Sequence, residues 1–183
     1  MLSGRRLSGT GGYRIVTAPC SLLTGLIADD GVMSQNEMAG SGPDAARYAD
    51  ADATFRIDGA VDDEELTTLH QLAFRASGSG FVPWSRRLQR HSICWVTAHQ
   101  GERLVGFINV IGDGGAHAVL LDTVVAPAYQ RRGIGRGLVH RAIDEARTLG
   151  CHWLHVDYDH RAADFYERVC GFDPMGAGVI RLA

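Results

Sequence analysis

Cysteine is scarce in this 183-residue chain, and the four present, Cys20, Cys94, Cys151 and Cys170, lie far apart with no C-x-x-C pair. That pattern argues against a disulfide frame or a zinc ribbon and suits reduced thiols in a cytoplasmic protein. Long apolar runs are missing too: no stretch of about 18 apolar residues occurs, so no membrane-spanning helix and no membrane partner are expected. Charge of one sign is also in short supply, with a net charge of -3 and a pI near 6.2. A chain without a basic excess has no global pull toward nucleic acid, and any basic cluster has to be read locally. Apolar residues, by contrast, make up 45% of the chain. At this length that is enough for one well-buried core and too little for two ordinary domains.

Residues 1–50 carry no clear periodicity and are expected to be a flexible extension ahead of one folded domain, 51–183. Arg5-Arg6 followed by the apolar stretch Tyr13 to Ala28 has the outline of a secretory signal. Arg14, Pro19 and Gly25 interrupt it, however, and no clean cleavage site follows. Translation from Met33 or Met38 would make the first segment dispensable.

The folded part is expected to begin with a short strand, Thr54-Phe55-Arg56-Ile57. Asp62-x-x-Glu65 reads as a capping box opening a helix with Leu66, Leu69 and Ala73 on its apolar stripe. A second, shorter helix follows Pro83 and Trp84, with Arg86, Arg87 and Arg90 as a solvated face. Ile93 to Ala98 and Leu104 to Ile111, joined at Gln100-Gly101-Glu102, predict an antiparallel hairpin. His117 to Val125, apolar on both faces apart from Asp122 and Thr123, predicts an interior strand. From Ile134 to Leu149 apolar residues recur at helical spacing and Gly150 ends the run. Trp153 to Asp157 then predicts a parallel strand, a helix starts near Arg161, and Phe172 to Pro174 and Gly178 to Leu182 read as strands. The fold class is α/β of the mixed kind, a central mixed sheet with helices on both faces.

The richest stretch is Val124 to Gly137, where an apolar strand runs through a proline loop into glycines and arginines at a helix start. Unpaired N–H groups there, with the positive end of the helix dipole behind them, make a seat for phosphate. A P-loop needs Lys and then Ser or Thr after its last Gly, whereas Arg136 and Leu138 follow here. A dinucleotide turn would need a third glycine at position 138 and glycines directly after the strand, although Asp157 sits where a ribose-binding acid would fall. The spacing Gln130-x-x-Gly133-x-Gly135, preceded by Val125-x-Pro127, closely resembles the acetyl-CoA motif of the GCN5-related N-acetyltransferases. Ala162-x-x-Phe165-Tyr166-Glu167-x-x-x-Gly171-Phe172 resembles that family's second signature. The resemblance covers roughly Phe55 to Ala183.

The resemblance implies acetyl-CoA as co-substrate, with no metal, held by Gln130, Arg131, Arg132, Gly133, Ile134, Gly135 and Arg136. Backbone groups of Val124 and Val125 would pair with the pantetheine arm. Tyr166 would protonate the departing thiolate, which a phenol with a pKa of about 10 can do. Asp122 is the leading general base, because an acid in an apolar strand is costly unless paired or functional; His117 and Asp157 rank behind it. His152-x-x-His155 does not place both rings on one strand face. Many members carry Asn where alignment through Tyr166 places Asp159, which reads as a helix cap. The activity implied is acetyl transfer to an amine of a small molecule or peptide by direct attack in a ternary complex. The alternative is a non-catalytic coenzyme A binding module. Phe81, Trp84, Trp95 and Asn109 are expected near the acceptor, and the oligomeric state is left open, a homodimer included.

Overall fold

The computed structural model describes residues 53–74 and 80–182, so the expectations for residues 1–50 lie outside the described residues. Five strands form one sheet in the order β1-β2-β3-β4-β5: β1 Thr54–Ile57, β2 Ser92–Gln100, β3 Arg103–Gly112, β4 His117–Val125 and β5 Trp153–Val156. The first four pair antiparallel and β5 joins β4 in parallel, which makes the sheet mixed. A two-residue turn closes the β2–β3 hairpin, with Gly101 at φ +59°, a backbone that a side chain would disfavour.

Helices cover both faces. On one face α1 (Asp63–Phe74) and α2 (Trp84–His91) bury Leu66, Leu69, Trp84 and Leu88 against Leu104, Phe107 and Val124. On the other, α3 (Ile134–Thr148) buries Ile134, Leu138, Val139 and Ala142 against Val96, Ala98, Ile108, Val110 and Leu120. Gly150 follows α3 at φ +87°, the left-handed stop predicted for it.

Asp62 caps α1 as its sequence position predicts, accepting from the N–H groups of Glu64 at 3.0 Å and Glu65 at 2.8 Å. Glu65 does not complete the capping box. Its carboxylate accepts from the N–H of Leu104 at 2.9 Å and ties α1 to the start of β3.

Gly106 fixes how closely α3 approaches the sheet. A Cβ there would lie 3.0 Å from Leu138 Cδ1, 3.2 Å from Ile134 Cγ2 and 3.3 Å from Ala98 Cβ. Gly106→Ala therefore overpacks the core beneath the first turn of α3. It is expected to lower unfolding stability by about 1–3 kcal/mol, read as a lower denaturant midpoint at unchanged m.

Two segments differ from the sequence-based expectation. The helix expected from about Arg161 is split into a 3₁₀ turn, His160–Ala162, and a π-helical stretch, Asp164–Val169, in which the Cys170 N–H reaches back five residues to the Phe165 carbonyl at 3.0 Å. Phe172 to Pro174 and Gly178 to Leu182 form no strand. Gly171 turns at φ +81°, Pro174 lacks a ladder donor, and Gly176 and Gly178 favour irregular backbone, leaving Val179 and Leu182 more than 90% exposed.

Candidate active site

β4 is where the sheet becomes irregular. It pairs with β5 only from His117↔Trp153 to Leu120↔Val156, so beyond Leu120 its β5-facing edge has no strand partner among the described residues. On its other edge the register with β3 slips, with Asn109 opposite Leu121 and Phe107 opposite Val124. Asp122 and Thr123 thus stand opposite Ile108 alone. This bulge puts Asp122 at φ +54°, a region that Asp tolerates better than most residues. Val124 and Val125 follow the bulge on the edge that lacks a strand partner, the position required for their backbone to take an extended ligand as an added strand.

The loop after β4 makes a 3₁₀ turn, Pro127–Tyr129, and then passes through Arg131 at φ +62° and Gly133 at φ +78° into α3. Gly133 is the N-cap residue and supplies no side-chain cap, so the first N–H groups of α3 remain available to an anion. Arg131 and Arg132 are exposed, with the Arg132 guanidinium 5.3 Å from the centre of the Tyr129 ring. Arg136, on the first turn, has a buried Nε with no hydrogen-bond partner among the described residues, and its side chain lines a cavity with His140, Cys170 and Phe172. A buried guanidinium nitrogen without a partner leaves a donor for an anionic group. The Gln130 side-chain amide donates to the Val125 carbonyl at 3.0 Å and braces the loop. A Cβ at Gly135 would sit 3.3 Å from Phe165 Cζ, so this glycine also lets the second signature pack on α3.

Tyr166 comes from that second signature and reaches the same bulge. It is 8% exposed, parallel to Tyr158 with ring centres 5.1 Å apart, and edge-on to Phe165 and Phe172. Burial pushes its phenol above the ordinary tyrosine range, while a hydrogen bond with Thr123 opposes part of that shift. Tyr166 is consequently protonated at neutral pH and touches the residue that precedes Val124.

Asp122 is paired, as the cost of burying an acid requires. Its Oδ1 is 3.1 Å from His70 Nε2 and its Oδ2 accepts from Arg87 Nη2 at 3.2 Å. Burial raises its pKa, but the His70 hydrogen bond, the Arg87 charge, His70 itself and a hydrogen bond from Asn109 outweigh this and hold the carboxyl below its usual value. An acid so stabilised is a weaker proton acceptor than a free carboxylate, and both of its oxygens are already engaged. Arg87 is likewise no mere solvated charge, since it bridges Asp122 and the Trp84 ring, 4.9 Å from the ring centre.

The remaining sequence expectations divide. Val124 is buried, and Ile134 sits in the core as the first residue of α3. Trp84 is a core residue, 1% exposed with its indole N–H donating to Thr67 at 3.2 Å, so it does not line an acceptor pocket. Trp95 donates to the Gly59 carbonyl at 2.9 Å, and Asn109 is buried beside Ser92. His117 pairs with His155 across β4 and β5 at 2.8 Å, away from the bulge, and Asp157 is exposed. Asp159 caps the 3₁₀ turn by accepting from the Arg161 N–H at 2.9 Å, as its position predicts.

A model of the acetyltransferase (GNAT) family matches residues 60–172, more than half of the chain. The chain belongs to this family. Among relatives of this GNAT chain, the GCN5-related N-acetyltransferase 1, chloroplastic, of Arabidopsis thaliana is 32% identical over 87 residues, covering 46% of the chain and 44% of the relative. N-alpha-acetyltransferase RimI of Mycobacterium tuberculosis is 35% identical over 105 residues, covering 53% and 66%. The chain therefore spans less than half the length of the first of these relatives. A solved GNAT-family acetyltransferase from Streptococcus pneumoniae superposes with a TM-score of 0.55 at 25% identity, over 72% of this chain and 99% of that one. The mixed sheet with helices on both faces is thus the GNAT fold, and the Gly133 loop and Tyr166 both lie within the matched residues.

Proposed function

We propose that this GNAT chain is an acetyl-CoA-dependent N-acetyltransferase that joins acetyl-CoA and an amine of a small molecule or peptide in one ternary complex. One observation carries this reading most directly: a buried, protonated Tyr166 contacts Thr123 in the β4 bulge, next to the edge of β4 that has no strand partner. A coenzyme arm laid along Val124 and Val125, with its pyrophosphate at the start of α3, would bring its thioester to that bulge. Arg131, Arg132 and Arg136 supply positive charge to the pyrophosphate, and the first N–H groups of α3 supply donors.

The chain's own residues then have separable tasks. Holding both substrates together removes the entropic cost of their encounter. Backbone donors at the bulge steady the oxyanion that forms when the amine nitrogen attacks the thioester carbon. As the carbon–sulfur bond breaks, the Tyr166 hydroxyl gives its proton to the departing sulfur. The amine class of the acceptor follows the names of the N-acetyltransferases that the chain resembles.

Two assays test the reading together. The expected result is a thermal upshift with acetyl-CoA, and thiol release from acetyl-CoA when a panel of small amines and peptides is added. No upshift would remove the coenzyme site. An upshift with no thiol release by any amine would favour a coenzyme A binding module that does not turn over.

A further inference from the structure

The amine must arrive at the thioester with a free lone pair, and the group that takes its proton is unassigned once Asp122 is seen to be fully engaged. Both carboxylate oxygens of Asp122 are occupied, one by His70 and the other by Arg87. His70 lies on α1, 52 residues from Asp122 in sequence, and its side chain is 25% exposed. Only one of its two nitrogens, Nε2, is used. Among the described residues Nδ1 has no hydrogen-bond partner. A carboxylate that accepts from Nε2–H fixes the neutral tautomer in which Nδ1 carries the lone pair. Phe74 at 4.6 Å and Trp84 at 5.1 Å between ring centres restrict how the imidazole can turn.

We propose that His70 is the catalytic base of the acetyl transfer and that Asp122 and Arg87 are its positioning residues. This rests on the acetyl-transfer reading above. The proton balance is complete without any further reactant. The ammonium form of the acceptor gives one proton to His70, which passes it to solvent, and the freed lone pair forms the carbon–nitrogen bond. The carbon–sulfur bond breaks, Tyr166 protonates the sulfur, and the second nitrogen proton restores the Tyr166 phenol. The sum is ammonium plus thioester giving amide, thiol and one proton.

Among the described residues, the charged groups of this cluster come from two elements: Asp122 on β4 and Arg87 on α2. Phe74 on its own helix, Trp84 on α2 and Asn109 on β3 are neutral. This arrangement predicts opposite effects from two substitutions. Asp122→Asn removes the anion beside the imidazole, so the acidic limb of the rate profile is expected to move to lower pH. Arg87→Ala removes a cation from the same cluster, so that limb is expected to move to higher pH.

The experiment has a readout on the protein alone and a readout on turnover. The His70 imidazole is titrated by NMR in the unsubstituted protein, Asp122→Asn and Arg87→Ala. Thiol release is then followed against pH for these proteins and His70→Gln, with the best amine of the panel, or with water as acceptor if no amine is taken. His70→Gln is expected to keep the acetyl-CoA thermal upshift, lose about 10²–10³-fold in kcat and lose the acidic limb. The inference is overturned if His70→Gln retains that limb, or if the two flanking substitutions shift the imidazole in the same direction or leave it in place. Failure of the acetyl-transfer reading itself is separate, because it shows in the unsubstituted protein, either as no acetyl-CoA upshift or as an upshift with no thiol release by any amine.

Discussion

Replacing Tyr166 by phenylalanine is expected to slow thiol release by about 10²–10⁴-fold, the usual contribution of one positioned acid, while acetyl-CoA binding persists. The ring itself is retained, so its contacts with Tyr158, Phe165 and Phe172 survive the change. Only the hydroxyl and its hydrogen bond with Thr123 are lost, a stability cost of about 1 kcal/mol. The pH dependence supplies a second sign. Burial raises the phenol above its ordinary value, so the acid form persists further into alkaline pH than in an ordinary tyrosine, and any alkaline fall in rate due to Tyr166 is displaced the same way. In Tyr166→Phe that limb should vanish. Steady-state kinetics across pH, with binding measured separately, checks both statements; a normal rate in Tyr166→Phe would assign the acid elsewhere.

The second large effect concerns the start of α3. Gly135→Glu places a carboxylate beside the helix-start amides, where it repels a pyrophosphate and competes for the same donors. Its Cβ also presses on Phe165, 3.3 Å from Cζ. Acetyl-CoA affinity is expected to fall more than 100-fold, about 2.7 kcal/mol. Gly135→Ala is the matching control, since it carries the same Cβ without the charge and meets the far end of the Phe165 ring and, at an ordinary contact distance of 3.7 Å, Val125 Cγ2. It should bind within a few-fold of the unsubstituted protein. Titration calorimetry on both variants separates charge from crowding, and equal losses in the two would show that packing alone is responsible.

How far the sequence reveals this site depends on whether its parts are local. The loop from Val124 to Gly137 was legible because strand, proline turn, glycines and helix follow one another with nothing in between, and α3 because its apolar residues hold one period for four turns. Tyr166 was legible through a second signature in the same order. The base was not. His70 and Asp122 are 52 residues apart, and no spacing rule joins a helix residue to a bulge on a strand four elements later. The bulge itself has no glycine to mark it, because Asp122 takes the positive φ that a glycine often takes. Arg87 read as surface for a similar reason: helical periodicity puts it on the outer face, and only the packing of the helices on the sheet brings its guanidinium to the half-buried Asp122 carboxylate. Trp84 looked like pocket lining through its aromatic character, whereas the Thr67 hydroxyl meets its indole N–H and allows full burial. The C-terminal segment misled in the opposite direction. Val179-Ile180-Arg181-Leu182 has the composition of a strand, but the glycines and Pro174 before it favour irregular backbone and it takes no strand conformation.

The central claim is that acetyl-CoA lies along the free edge of β4 with its phosphates on the first turn of α3. Backbone hydrogen exchange, read residue by residue with and without acetyl-CoA, tests this most directly. Protection is predicted at Val124, Val125 and Gly133 to Arg136, with little change across β1 and β2. Unchanged exchange at these positions, or protection confined to another part of the sheet, would contradict it.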